Sequence, residues 1–124
     1  MSKKVLIDAF YSQFGELLNQ LATMYPDDPD FAVFVDNLGF ARSMNPMLPI
    51  NIIKTEVLDT CLDKIKAHDE SFFMNYEYTS HEEVDLDIVN KLRKYYGSMS
   101  DLSKEIVWRY IDVITRIAEK VTSM

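Results

Sequence analysis

Apolar residues recur every three or four positions along most of this chain, which is the spacing of one face of an α-helix. Near the N-terminus the pattern predicts a first helix over residues 5–25. Its inward positions are Ile7, Phe10, Phe14, Leu17, Leu21 and Met24. Pro26 cannot continue a helix, because it lacks a backbone donor and its ring clashes with the preceding turn. The first helix therefore ends before Pro26.

A second helix is predicted from about Pro29 to Met44. Asp28 is a good N-cap residue, and Pro29 suits the first helical position that follows it. The inward residues are Phe31, Phe34, Val35, Leu38 and Ala41. Gly15 and Gly39 lie inside the two predicted helices, where glycine is unfavourable. We expect a close approach between helices to explain both glycines.

A third helix is predicted over residues 50–66. Its buried face consists of Ile53, Val57, Cys61 and Ile65, with Leu58 and Leu62 alongside. The aromatic residues that follow have neither a helical nor a strand period. Residues 69–79 are therefore interpreted as an ordered acidic and aromatic loop that docks on the helices, with a short helical turn inside it as an option.

Two more helices complete the prediction. Ser80 and Glu83 have the spacing of a capping box, which places a fourth helix over residues 81–96, and Gly97 ends it. The core stripe of this helix is Ile88, Leu92 and Tyr95. The last helix covers residues 100–122. Its predicted core side is Leu102, Ile106, Tyr110, Val113, Ile117 and Val121, widened by Val107, Ile114 and Ala118.

The chain has 124 residues with only three glycines and four prolines, too few turn residues for a β-sandwich or barrel. We therefore predict the all-α class, with about five helices in one compact helical-bundle domain over residues 1–124. Residues 1–4 are expected to fray. Trp108 lies on the most apolar helix and is expected to be buried.

Charge restricts the partners. Thirteen Lys and Arg residues stand against twenty Asp and Glu residues, a net charge of −7. Such a surface repels polyanions, so general binding to nucleic acid or to an anionic membrane is disfavoured. No apolar run is long enough for a signal peptide or a membrane span. We expect a soluble protein of the cytoplasm or nucleus, or one packaged inside a virus particle.

Residues for catalysis are missing from the sequence. Cys61 is the single thiol and falls on a predicted buried face, where a small apolar role is the ordinary one. His68 and His81 are interpreted as surface histidines. Asp27, Asp28 and Asp30 lack the spacing of a calcium loop, so helix capping explains them better. We predict a protein that is not an enzyme, with no catalytic, cofactor-binding or metal-binding residues.

The most unusual stretch of the chain covers residues 69–87, which contain seven acids and no Lys or Arg. Acid mixed with aromatic residues suits a docking surface for a basic protein, because charge steers the encounter and aromatic rings anchor it. The candidate docking residues are Asp69, Glu70, Phe72, Phe73, Tyr76, Tyr78, Glu82, Glu83, Asp85 and Asp87. The alternative is a solvated acidic loop whose aromatic side chains fill the edge of the core.

One dense basic patch, Lys91, Arg93 and Lys94, precedes Tyr95 and Tyr96. It allows a contact with nucleic acid, although basic residues are also favoured at a helix C-terminus for electrostatic reasons alone.

Several segments taken together resemble a known family: YPDDPDF at residues 25–31, Asn45-Pro46, DESFF at residues 69–73, KLRKYY at residues 91–96 and IVWRYIDVI at residues 106–114. They resemble the short, all-helical proteins of large double-stranded DNA viruses of algae and protists. The resemblance implies a viral accessory or structural protein and no enzymatic activity.

Two functions therefore stay open. The first is a non-enzymatic protein that acts by binding another protein, with self-association into a homodimer as a further option. The alternative is a nucleic-acid-associated protein, or an acidic decoy of nucleic-acid-binding proteins, which the net negative charge would suit.

Overall fold

A computed structural model describes residues 2–75 and 87–124, with the side chains of Asp87 and Ile88 left aside. All regular structure in these ranges is helical. The seven α-helices are α1 (Lys3–Met24), α2 (Asp30–Met44), α3 (Met47–Ile53), α4 (Leu62–Lys66), α5 (Glu70–Asn75), α6 (Asp87–Tyr96) and α7 (Asp101–Thr122). A π-helical segment, Lys54–Leu58, continues α3. The predicted all-α class is confirmed for this part of the chain, with more and shorter helices than expected.

Local capping residues fix the ends of the longest helices. The Ser2 side chain accepts from Val5 N at 3.2 Å, so α1 already includes Lys3, where the sequence predicted fraying. The Asp28 carboxylate accepts from Asp30 N at 3.0 Å and caps α2, as predicted. Ser100 accepts from Ser103 N at 3.2 Å at the start of α7. Each bond satisfies a backbone donor that the first helical turn leaves unpaired.

The long helices form the framework of the bundle. Helix α1 packs against both α2 and α7, while α3 and the π-helical segment pack against α7. The core between them contains side chains that are fully or almost fully removed from solvent. The largest are Tyr96, Phe10, Phe31, Leu18, Leu21, Ile50, Val107 and Val121.

The predicted third helix is wrong as a continuous element. The π-helical segment begins at Lys54, and Asp59 N donates to Lys54 O at 2.9 Å across five residues. The chain then leaves the helical conformation at Cys61, where φ is −142° and ψ is 25°, before α4 begins. Apolar periodicity continues through this break, which is why the sequence pattern did not show it.

The predicted core side of α7 is confirmed in part: Val107, Ile114, Ala118 and Val121 are buried as predicted. The buried residues are Val107, Trp108, Ile114, Ala118 and Val121, whereas Leu102 is 67% exposed. The centre of the buried face lies about a quarter turn away from the predicted stripe of Leu102, Ile106 and Tyr110, towards the widening residues. Apolar residues cover more than one side of α7, so their spacing alone does not say which side faces the core. The predicted burial of Trp108, which is 5% exposed, is confirmed.

Candidate functional site

Helix α2 leaves large apolar side chains in solvent. Val33 is 51% exposed, Phe40 68% and Met44 70%. At about 100° per residue these three positions lie within about 40° of one another on the helix circumference. We call them the α2 face.

The α2 face lies opposite the side that packs on the bundle. Phe31 and Phe34 are buried on that inner side, at 0% and 8% exposure. Gly39 lies beside Phe40, and a Cβ added there would meet no atom within 4 Å. Among the described residues, the predicted close helix approach at Gly39 is therefore not found. The same holds for Gly15.

The sequence contained a signal for the α2 face that the prediction of the second helix did not use. Besides the inward stripe, α2 carries apolar residues at Val33, Phe40 and Met44, which makes it apolar on two opposite sides. A helix on the outside of a bundle needs only one apolar side. The second side is then either buried by a further element or exposed, and only the tertiary structure shows which.

A polar cluster ties the start of α2 to α6. Lys91 Nζ lies 3.0 Å from Asp28 Oδ2 and 2.8 Å from Asp30 Oδ2. The Tyr95 hydroxyl donates to the same Asp28 oxygen at 2.6 Å, and the Tyr95 ring stacks on Tyr25 at 3.9 Å between centroids. The hydrogen bond from Tyr95 is the largest cause that lowers the pKa of Asp28 to about 2, followed by those from Asp30 N and Lys91.

This cluster determines what the predicted basic patch can do. The Lys91 ammonium is held by two carboxylates, and its pKa is raised mainly by its hydrogen bond to Asp30. Arg93 Nε donates to Phe73 O at 2.8 Å, and Lys94 Nζ lies 5.5 Å from the centre of the Tyr95 ring. The patch therefore joins α6 to α2 and α5, and Lys91 does not offer a free charge to phosphate.

A second polar group is built around the buried Trp108. Trp108 Nε1 donates to the Tyr96 hydroxyl at 2.7 Å, and that hydroxyl donates to Glu70 Oε1 at 2.6 Å. The His68 ring stacks on Trp108 at 4.7 Å, and His68 Nε2 lies 2.7 Å from Asp112 Oδ2. These bonds join α5, α6 and α7 and form no nucleophile–base pair.

The structure describes only the first part of the predicted docking stretch. Asp69 caps α5 by accepting from Phe72 N at 3.0 Å, and Glu70 accepts from Tyr96 as described. Phe72 and Phe73 are partly buried against the core. Residues 70–75 form the short helix α5, within the stretch that was predicted as a loop with a helical turn as an option.

The remaining candidates of that stretch lie outside the described residues: Tyr76, Tyr78, Glu82, Glu83 and Asp85. Asp87 opens α6, but its side chain is not described. Whether residues 69–87 form a docking surface therefore stays a prediction.

The single thiol of the chain does not form a reactive site in the described ranges. Cys61 is buried, and burial is the main cause that raises the pKa of its thiol. Within residues 2–75 and 87–124 no three His, Cys, Asp or Glu residues are grouped to hold a metal ion. No helix of the same ranges is both long enough and apolar enough to cross a membrane.

Comparison with known proteins gives no relative: no family model, curated protein or solved structure matches the chain.

Proposed function

We propose that this chain is a non-enzymatic interaction protein that binds a partner protein through the α2 face. The observation that carries the proposal is the exposure of Phe40 and Met44, 68% and 70%, one helical turn apart on the same side. Single exposed apolar residues are common on protein surfaces, but clusters of them are uncommon and often mark binding sites. Aromatic residues and methionine are enriched at such interfaces.

The partner is a protein that presents an amphipathic helix with Lys or Arg along the border of its apolar stripe. Arg42, the basic residue in the last turn of α2, is bonded to Asp8 Oδ1 at 2.7 Å. Asp36 is exposed on α2, and the chain as a whole carries a charge of −7. A basic border on the partner therefore complements the surroundings of the α2 face.

The acidic residues 69–87 support the same choice of partner. Seven acids without a Lys or Arg attract a basic protein over about 8 Å at physiological ionic strength. We assign to this stretch the steering of the encounter and to the α2 face the contact itself. The viral accessory role implied by the family resemblance belongs to the same proposal and rests on that resemblance alone.

The test is affinity capture from cell lysate with quantitative mass spectrometry, using three versions of the chain. The first is the wild type, and the second carries Phe40→Ser and Met44→Ser. The third is a matched control, Leu102→Ser, which removes an equally exposed apolar residue on α7. A protein captured by the wild type and the control but lost with the double variant is the expected partner.

The purified partner then provides the decisive measurement. Its affinity for the double variant should fall at least tenfold relative to the control. Changing Glu82, Glu83, Asp85 and Asp87 to their amides should slow association more than it speeds dissociation, and the effect should vanish at high salt. A partner that binds the double variant and the wild type equally would refute the proposal.

A second copy of the chain is the competing occupant of the α2 face. Sedimentation equilibrium separates the two cases. If the wild type dimerises and the Phe40→Ser, Met44→Ser variant is monomeric, the face serves self-association and the proposed partner is wrong.

A further inference from the structure

An apolar cavity of about 230 Å³, partly open to solvent, lies between the helices of the bundle. Phe14 and Leu17 of α1 border it on one side and Ile114 of α7 on another, while α5 and α6 contribute further apolar residues. Protein cores ordinarily contain few voids larger than a water molecule. A cavity of this volume with an almost wholly apolar wall has room for a small molecule.

The wall opposite α1 is built by the irregular part of the chain. Ile53, Val57, Cys61 and Ile65 all border the cavity. They were predicted as the buried face of one continuous helix, and the π-helical segment and the break at Cys61 separate them instead. A π-helical turn, with hydrogen bonds from residue i to i+5, is rare and is frequently found at functional sites. The irregular backbone and the cavity thus coincide.

The polar groups at the cavity show which chemistry it accepts. Thr115 Oγ1 donates to Ile111 O at 2.8 Å, within its own helix. Arg93 Nε donates to Phe73 O at 2.8 Å. The thiol of Cys61 is kept neutral because burial raises its pKa. Glu56 also borders the cavity, and the other lining residues are aliphatic or aromatic. The exposed lining surface is almost wholly apolar, so dispersion and desolvation dominate any binding there.

We propose that this cavity binds a neutral, apolar small molecule about the size of two fused rings. An engineered apolar cavity of about 150 Å³ takes up benzene, so a larger one accommodates a second ring. The inference goes beyond the proposed function. Helix α2 contributes no residue to the cavity lining, so the two proposals can fail independently.

The probe for the test is 1-naphthol, a neutral two-ring compound at pH 7, added to the full chain. At about ten times its Kd we expect the melting temperature of the wild type to rise by about 4 °C. The same rise should occur in the Phe40→Ser, Met44→Ser variant, because the α2 face is not the binding site. A rise that is lost in this variant would place the probe on the α2 face and overturn the inference.

Cys61 reports occupancy of the cavity directly, since it is the single thiol of the chain. We expect methyl methanethiosulfonate, a small neutral thiol reagent, to modify Cys61 slowly in the free protein. At about ten times its Kd, 1-naphthol should slow the modification about tenfold. An unchanged modification rate would mean that the bound probe does not occupy the cavity.

A cavity-filling substitution completes the test. Val57→Phe places a ring in the cavity and should abolish the probe-induced rise, whereas Val33→Phe, the same change on the exposed side of α2, should leave it intact. Val89→Phe, on the α6 side of the cavity, replaces Val57→Phe if that variant does not fold. A cavity-filled variant that responds to 1-naphthol like the wild type would refute the inference, as would a wild type that shows no response.

Discussion

The indole of Trp108 and the hydroxyl of Tyr96 form a hydrogen bond of 2.7 Å inside the protein, between α7 and α6. The two side chains are 5% and 2% exposed. The Tyr96 hydroxyl accepts this bond and donates a second one to Glu70 Oε1 at 2.6 Å. A single oxygen atom thereby joins α5, α6 and α7, which makes it a sensitive point for the stability of the fold.

The substitution Tyr96→Phe should lower the free energy of unfolding by about 1–3 kcal/mol. It leaves the indole N–H of Trp108 buried without an acceptor, and an unsatisfied buried donor costs about that amount. Urea unfolding followed by circular dichroism measures the change. Tyr110→Phe is the control, because the Tyr110 hydroxyl makes only a long, exposed contact of 3.5 Å with Glu16. A loss no larger than that of the control would show that Trp108 finds another acceptor.

Stability should fall in alkaline solution, from about pH 10 to pH 12. Burial raises the pKa of Tyr11 and of Tyr96 from 10.0 to about 12. Below pH 10 both phenols are protonated in the folded and in the unfolded state. Between pH 10 and pH 12 only the unfolded state releases these protons, which favours unfolding. Melting temperatures across this range should fall less steeply for the Tyr11→Phe, Tyr96→Phe double variant. Parallel curves would contradict the prediction.

The polar cluster of Asp28, Lys91 and Tyr95 should make the stability of the fold sensitive to acid. The pKa of Asp28 is lowered from 3.8 to about 2, first by the hydrogen bond from Tyr95. The contribution of the carboxylate is fully present above its unfolded value and is lost as the pH falls towards 2. Asp28→Asn should therefore lower the melting temperature at pH 7 and flatten its decline between pH 5 and pH 2. Asp36→Asn, an exposed change on α2, should leave the melting temperature at pH 7 unaltered.

Replacing the helical glycines should stabilise the protein. A Cβ at Gly39 or Gly15 meets no atom within 4 Å, and neither residue has a positive φ. Gly39→Ala and Gly15→Ala should each raise the free energy of unfolding by about 0.5–1 kcal/mol, because alanine loses less backbone entropy on forming a helix. Thermal denaturation of the two single variants tests this. A destabilised Gly39→Ala would show that the position packs more closely than the structure indicates.

Most helix positions could be predicted from the sequence because helix formation depends on neighbours in the chain. The starts of α2 and α7 were predicted at Asp28 and Ser100, each within three residues of the backbone N–H from which it accepts. The cap at Ser2 was not predicted, and α1 begins at Lys3, among the residues expected to fray. The apolar stripe of α1 was predicted in part, because the buried Leu6, Tyr11 and Leu18 were not among its predicted inward residues. Its buried residues include Phe10, Leu17 and Leu21.

The candidate sites could not be predicted in the same way, because each depends on which surfaces meet in three dimensions. The α2 face is exposed only because no described element covers Phe40 and Met44. On α6, Tyr95 was predicted to be a core residue, but it is only partly buried. The neighbouring Tyr96 is buried, and its hydroxyl is bonded to Trp108 and Glu70. Cys61 is buried as expected and Val57 packs against the core, but both also border a cavity that the apolar pattern did not predict.

The sequence by itself determined the all-helical class, the long helices α1, α2 and α7, the capping of α2 by Asp28 and the burial of Trp108. These features follow from backbone hydrogen bonds and apolar periods that span a few residues. Only the tertiary structure decided the rotation of α7, which leaves Leu102 exposed, the break at Cys61, the α2 face and the cavity. The physical reason is that a helix with apolar residues on several sides can pack in more than one orientation. The shapes of the neighbouring helices then select one of them.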